Sequence, residues 1–146
     1  MEQGGEWPTH PYIPGKTTRH AEDAFEHLTA TAAPGMSIEE LSKSDAFLFG
    51  LKYLNTGFYW EAHELFEPVW MALPYPSRER ALAQGLIQIA NGLLKLKMDR
   101  PNAARRLDAI ARNHIAHAGS GVVMGITHQG VLRMLDSLKR KCDDAL

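Results

Sequence analysis

Residues 59–70 read YWEAHELFEPVW. Set on a helix at about 100° per residue, Tyr59, Trp60, His63, Phe66, Glu67 and Trp70 share one broad side. Glu61, Glu64 and Pro68 fall opposite as a water-facing stripe, while Ala62, Leu65 and Val69 carry the apolar band round the remaining flank. The stretch therefore predicts a helix that buries a histidine and a glutamate, one turn apart, inside an aromatic face.

Pro68 lacks an amide proton and disfavours helical geometry at the residue before it, which predicts a kink between Glu64 and Glu67. The sequence LPYPS, 73–77, ends the element. From Arg78 to Met98 the chain is apolar almost all round, with Leu82, Leu86, Ile89, Leu93 and Leu96 on one side and Ala83, Ile87, Ala90 and Leu94 on another. Such a helix belongs at the centre of a bundle. It also carries a narrow polar arc, Gln84, Gln88, Asn91 and Lys95, beside Ala81, Gly85 and Gly92. Buried polar side chains need partners, and the glycines predict close approach by another helix. The matching polar groups are on the 59–70 helix, so the expected contact is a Gln/Asn/His/Glu cluster walled by Trp60, Phe66 and Trp70.

The flanking segments complete the expected fold. SIEE, 37–40, is a capping box opened by Ser37, and Phe47, Leu48, Leu51 and Leu54 recur at helical spacing up to Gly57, a left-handed C-cap. A short helix is expected from Thr18 to about Ala30, another from Pro101 to Ala118, and a last one capped by Thr127 with Val131, Leu132, Leu135 and Leu138 facing inward. GSGVVMGI reads as a loop, and no segment reads as a paired strand. Pro8, Pro11, Pro14 and the Gly4–Gly5 pair make residues 1–20 an extended arm, whose Trp7, Tyr12 and Ile13 can pack on the body. The expectation is an all-α fold: one domain over 21–146, a compact bundle of five to six helices around the central helix at 78–98, with the arm outside it.

Composition narrows the partners. With 146 residues and 45% hydrophobic content the chain suits one continuous core. Sixteen basic and seventeen acidic residues give a formal charge of −1, so neither nucleic acid nor an anionic membrane is expected as a partner. Cys142 is the single cysteine, which excludes an intramolecular disulfide and a cysteine-based zinc site. No apolar run approaches a membrane span, and MEQGGEWPTH lacks the basic start and apolar core of a secretory signal, so the cytoplasm is the expected compartment.

Leu54–Trp70, LNTGFYWEAHELFEPVW, resembles the FNxGxYWEAHExxExxW signature of a bacterial and archaeal group known as domain-of-unknown-function family 309, with leucine for the usual leading phenylalanine. QGLIQIANGLLKLKMDRPNAARRL is similar to that family's following segment, and the likeness runs over roughly residues 46–112. The resemblance implies an all-helical bundle and a His-x-x-x-Glu-x-x-Trp element, here His63, Glu67 and Trp70, as a metal-binding element.

The chemistry of the residues keeps several readings open. His63 and Glu67 at i and i+4 present nitrogen and oxygen from one face, suited to two ligands of Zn²⁺, Fe²⁺ or Mn²⁺. Glu64 adds an oxygen if the Pro68 kink turns it inward; Gln88, His10 and His20 are further donors, and Trp60, Trp70, Gln84, Gln88 and Asn91 form the expected surroundings. A second reading is metal-free acid–base chemistry, with Glu67 orienting His63. The third has no chemistry: a structural or protein-interaction module in which His63, Glu67 and Gln88 form a buried hydrogen-bond network, and the arm's Trp7 and Tyr12 clasp a second copy in a homo-oligomer. His114 and His117 at i, i+3, and the basic turn of Lys95, Lys97, Arg100, Arg105 and Arg106, read as core edge and solvated surface.

Overall fold

The computed structural model describes residues 7–145. Helix α1 is Glu26–Thr29, α2 Ile38–Ser42, α3 Asp45–Asn55, α4 Tyr59–Ala72, α5 Arg78–Lys97, α6 Pro101–Ala118 and α7 His128–Asp144; a hairpin of β1 Val122–Val123 and β2 Ile126–Thr127 precedes α7. The architecture is a helical bundle, as the sequence predicts. Helix α5 lies at its centre, packed against α4, α6 and α7, with Leu82, Ala83, Leu86, Ile89 and Ala90 at most 1% exposed.

Local chemistry sets the boundaries. The Ser37/Glu40 capping box forms in both directions, with Glu40 N donating to Ser37 Oγ (3.0 Å) and Ser37 N to Glu40 Oε1 (2.8 Å). Ser44, Ser77 and Thr127 cap α3, α5 and α7 by accepting from the amides of Phe47, Arg80 and Gly130. Gly57, at φ 91°, turns α3 into α4, and the Phe58 amide then donates back to the Tyr53 carbonyl (2.9 Å).

Several expectations are corrected. Regular helix between Thr18 and Ala30 is confined to the single turn α1. GSGVVMGI holds a two-residue antiparallel ladder, Val122 opposite Thr127 and Val123 opposite Ile126, in a segment too short to show period-two alternation. Pro68 lies within α4, which stays a single element from Tyr59 to Ala72, as its expected end at LPYPS predicts. The glycines of α5 do not serve contact with α4: a Cβ on Gly85 would lie 2.3 Å from Ile115 Cδ1 of α6, and one on Gly92 3.0 Å from Leu138 Cδ2 of α7. The close approach in the α3/α4 pair falls instead at Gly50, where a Cβ would lie 2.6 Å from the Phe66 ring.

Residues 7–20 lie along the body without a helix. Trp7 meets Tyr53 and Phe58 edge-on at centroid distances of 5.3 and 5.7 Å, and Tyr12 meets Trp60 at 5.2 Å. The arm is thus an additional layer over the start of α4, and that layer governs which of the α4 residues are buried.

Candidate functional site

The core-facing side of α4 is Ala62, Leu65, Phe66 and Val69, each fully buried. At about 100° per residue this centre lies across the helix from His63, Glu64 and Glu67. His63, Glu64 and Glu67 accordingly lie at the outer face, their side chains 23%, 38% and 51% exposed. The expected burial of His63 with Glu67 is corrected on this point, and so is the common wall: Phe66 packs inward on Phe47, while Trp60 lies under the arm and Trp70 beneath Arg80.

Glu61, expected in water, is fully buried. The arm accounts for it. His20 Nε2 lies 2.6 Å from Glu61 Oε2 and the Tyr12 amide donates to the same oxygen at 2.7 Å; with a carboxylate as acceptor, the His20 nitrogen carries the proton. The His20 side chain is itself only 8% exposed, boxed by Tyr12, Phe25, Trp60 and His10. His10 Nε2 donates to the Thr18 carbonyl (2.6 Å), which ties the arm back on itself. Glu61 Oε1 has no hydrogen-bond partner among the described residues. A buried carboxylate is tolerated when charge-assisted donors reach it, and both donors here come from more than forty residues upstream. No local pattern in 59–70 could have revealed them; the available signal was the arm's own mixture of aromatic residues and histidines.

On the outer face the His63 imidazole separates two carboxylates. Its Nε2 lies 3.4 Å from Glu67 Oε2 and its Nδ1 3.7 Å from Glu64 Oε1. Nδ1 is buried and makes no hydrogen bond among the described residues. Burial, opposed by the neighbouring His63, raises the Glu64 carboxyl above its ordinary value. Because Glu64 and Glu67 face opposite ring nitrogens, the three side chains do not converge on one point, and no cluster of three or more potential metal ligands occurs among the described residues.

The remaining expected neighbours lie apart from this pair. No hydrogen bond joins Gln84, Gln88 or Asn91 to His63 or Glu67 among the described residues, so the buried His63/Glu67/Gln88 network does not form. Gln84 lines a cleft of about 370 Å³ with Trp70, Tyr75, Arg80, His114 and His117. There the Arg80 guanidinium lies 4.6 Å from the Trp70 ring and 5.5 Å from Tyr75, and burial lowers the His114 imidazole below its ordinary value.

Residues 47–107 match the family model described as a domain of unknown function (DUF309). Over that stretch the chain is similar to DUF309. The DUF309 segment begins inside α3, takes in all of α4 and α5 and ends inside α6, so it contains His63, Glu64, Glu67 and Trp70 together with the central helix. The donors to Glu61, His20 and Tyr12, lie outside the DUF309 match. No curated protein and no solved structure matches the chain.

Proposed function

We propose that the outer face of α4 binds a divalent transition metal through His63 Nε2 and the Glu67 carboxylate. The observation that carries this reading is their 3.4 Å separation across one helical turn, a spacing two ligands can keep when each lies about 2.1 Å from a shared ion. Glu64 supports it in a different role from the ligand expected of it. It faces Nδ1, the nitrogen a metal-bound histidine commonly turns to a carboxylate, where it orients the ring and raises its basicity. Two protein ligands leave the remaining positions to water or to a bound molecule, so the ion is exchangeable and the site open.

Calorimetric titration of the metal-free chain with Zn²⁺ and Mn²⁺ tests this. The expected result is saturable one-to-one heat with at least one ion, abolished by His63→Ala and by Glu67→Gln and weakened by Glu64→Ala. Heats unchanged by the first two substitutions, or no saturable heat with either ion, would sink the reading.

A second reading has its own observation. The Glu61–His20 contact supports a non-enzymatic module in which the polar residues of α4 serve to hold the arm. In that case removing His63 or Glu67 leaves metal titrations unchanged, whereas removing His20 or Glu61 releases the arm.

A further inference from the structure

A second recess lies away from the outer face of α4. It has a volume of about 380 Å³ and is formed where the end of α3, the start of α4, the middle of α5 and one side of α7 meet. Its floor is apolar, Leu54, Ile89 and Leu93, each at most 7% exposed. Its wall on α7 is Gly130, Arg133, Met134, Ser137 and Lys141, a three-to-four residue spacing that places them on one helical face. Tyr59 and Asn55 close the other side, and no acidic residue lines it.

Apart from Asn55, whose Nδ2 donates to the Leu51 carbonyl at 3.0 Å, the polar groups of this recess are uncommitted. Among the described residues, the Arg133 guanidinium, the Lys141 ammonium and the hydroxyls of Tyr59 and Ser137 make no hydrogen bond or ion pair within the chain. Neighbouring charges on α7 behave differently: Lys139 pairs with Asp143 at 3.7 Å, and Asp136 lies 3.9 Å from Arg112. The cleft beside Trp70 also contrasts, since its cation Arg80 is stacked on two rings and His117 Nδ1 donates to the Asn113 carbonyl at 2.8 Å. Two unpaired cations and two free hydroxyls above a greasy floor describe one kind of ligand.

We propose that this recess binds a small organic anion, a carboxylate or phosphate head held by Arg133 and Lys141 with an apolar body lying on Leu54, Ile89 and Leu93. The volume is near the lower end of the roughly 300–1,000 Å³ of small-molecule sites, which suits a compact ligand. Arg133 supplies a planar fork for two oxygens, Lys141 a point charge, and the hydroxyls of Tyr59 and Ser137 donate to whichever oxygen remains. Burial raises the Tyr59 phenol above its ordinary value, so it stays a neutral donor at physiological pH. The site is independent of the metal reading, because none of His63, Glu64 and Glu67 lines it.

Binding of octanoate and of phenyl phosphate, followed by amide chemical shifts of the full chain, provides the test, with octanamide as the uncharged control. The expected result is saturable binding of at least one anion, with shifts at Gly130, Met134 and Ser137. Affinity should fall at least tenfold in the doubly exposed Arg133→Glu/Lys141→Glu variant, and several-fold in Tyr59→Phe, which keeps the ring. Octanoate alone binding would identify a carboxylate head, phenyl phosphate alone a phosphate head, and both together a site for either. The proposal is overturned if neither anion saturates, if octanamide binds as well as octanoate, or if the charge reversal leaves the affinity unchanged.

Discussion

Glu61 is the residue at which an account built from periodicity alone goes astray, because its burial depends on donors that no local window contains. Removing His20 leaves Glu61 Oε2 with the Tyr12 amide as its one remaining donor among the described residues. His20→Ala is therefore expected to lower the unfolding free energy by about 1.5–3 kcal/mol, the usual cost of losing a hydrogen bond to a buried charge. Urea unfolding measures this, and a change within the error of the extrapolation would mean that the arm is held by its aromatic contacts instead. Glu64 yields a prediction with a sign. Burial raises its folded-state value above the ordinary 4.5, so folding favours the protonated form. Its contribution to stability is full below that ordinary value and is lost as pH rises through the raised folded one. Glu64→Gln, which stays neutral, should gain stability relative to the wild type between pH 4 and pH 7; melting curves that keep a constant offset across that window would contradict the assignment.

At the scale of elements, the helices most legible in sequence were those with strong local signals. Ser37 and Thr127 cap helices where their chemistry places them, and α6 spans Pro101–Ala118 as the proline and the apolar spacing indicate. The rotation of α4 was not legible. Its aromatic residues are divided between two layers, the bundle core and the arm, so the amphipathic pattern has no single polar face to mark the outside. The partner of the α5 glycines was likewise hidden, since a small residue announces close approach without naming what approaches. Gly85→Ala tests the contact now assigned: its methyl would meet Ile115 at 2.3 Å, so the substitution should cost about 1–3 kcal/mol through overpacking. In an Ile115→Ala background the same change should cost much less, a coupling read from a double-mutant cycle. Equal costs in both backgrounds would place the close approach elsewhere.

For the whole molecule, the bundle and the family were both readable from 146 residues, because a continuous apolar helix demands a surround and the YWEAHE element is distinctive. Less legible was the division of labour among the seven histidines, which depends on the arm. His20 is committed to the Glu61 carboxylate and His10 to the Thr18 carbonyl, while His63 presents Nε2 beside Glu67 at a half-open surface. Arm and outer face thus use α4 for separate tasks, anchoring and, in the reading proposed above, metal binding. The most direct test is a titration of the full chain with Zn²⁺ followed by the nitrogen-15 resonances of its imidazoles. The account predicts that His63 Nε2 shifts with saturation at one equivalent while His20 and His10 keep their free-state resonances. An unperturbed His63, or a leading response from His20 or His10, would contradict it.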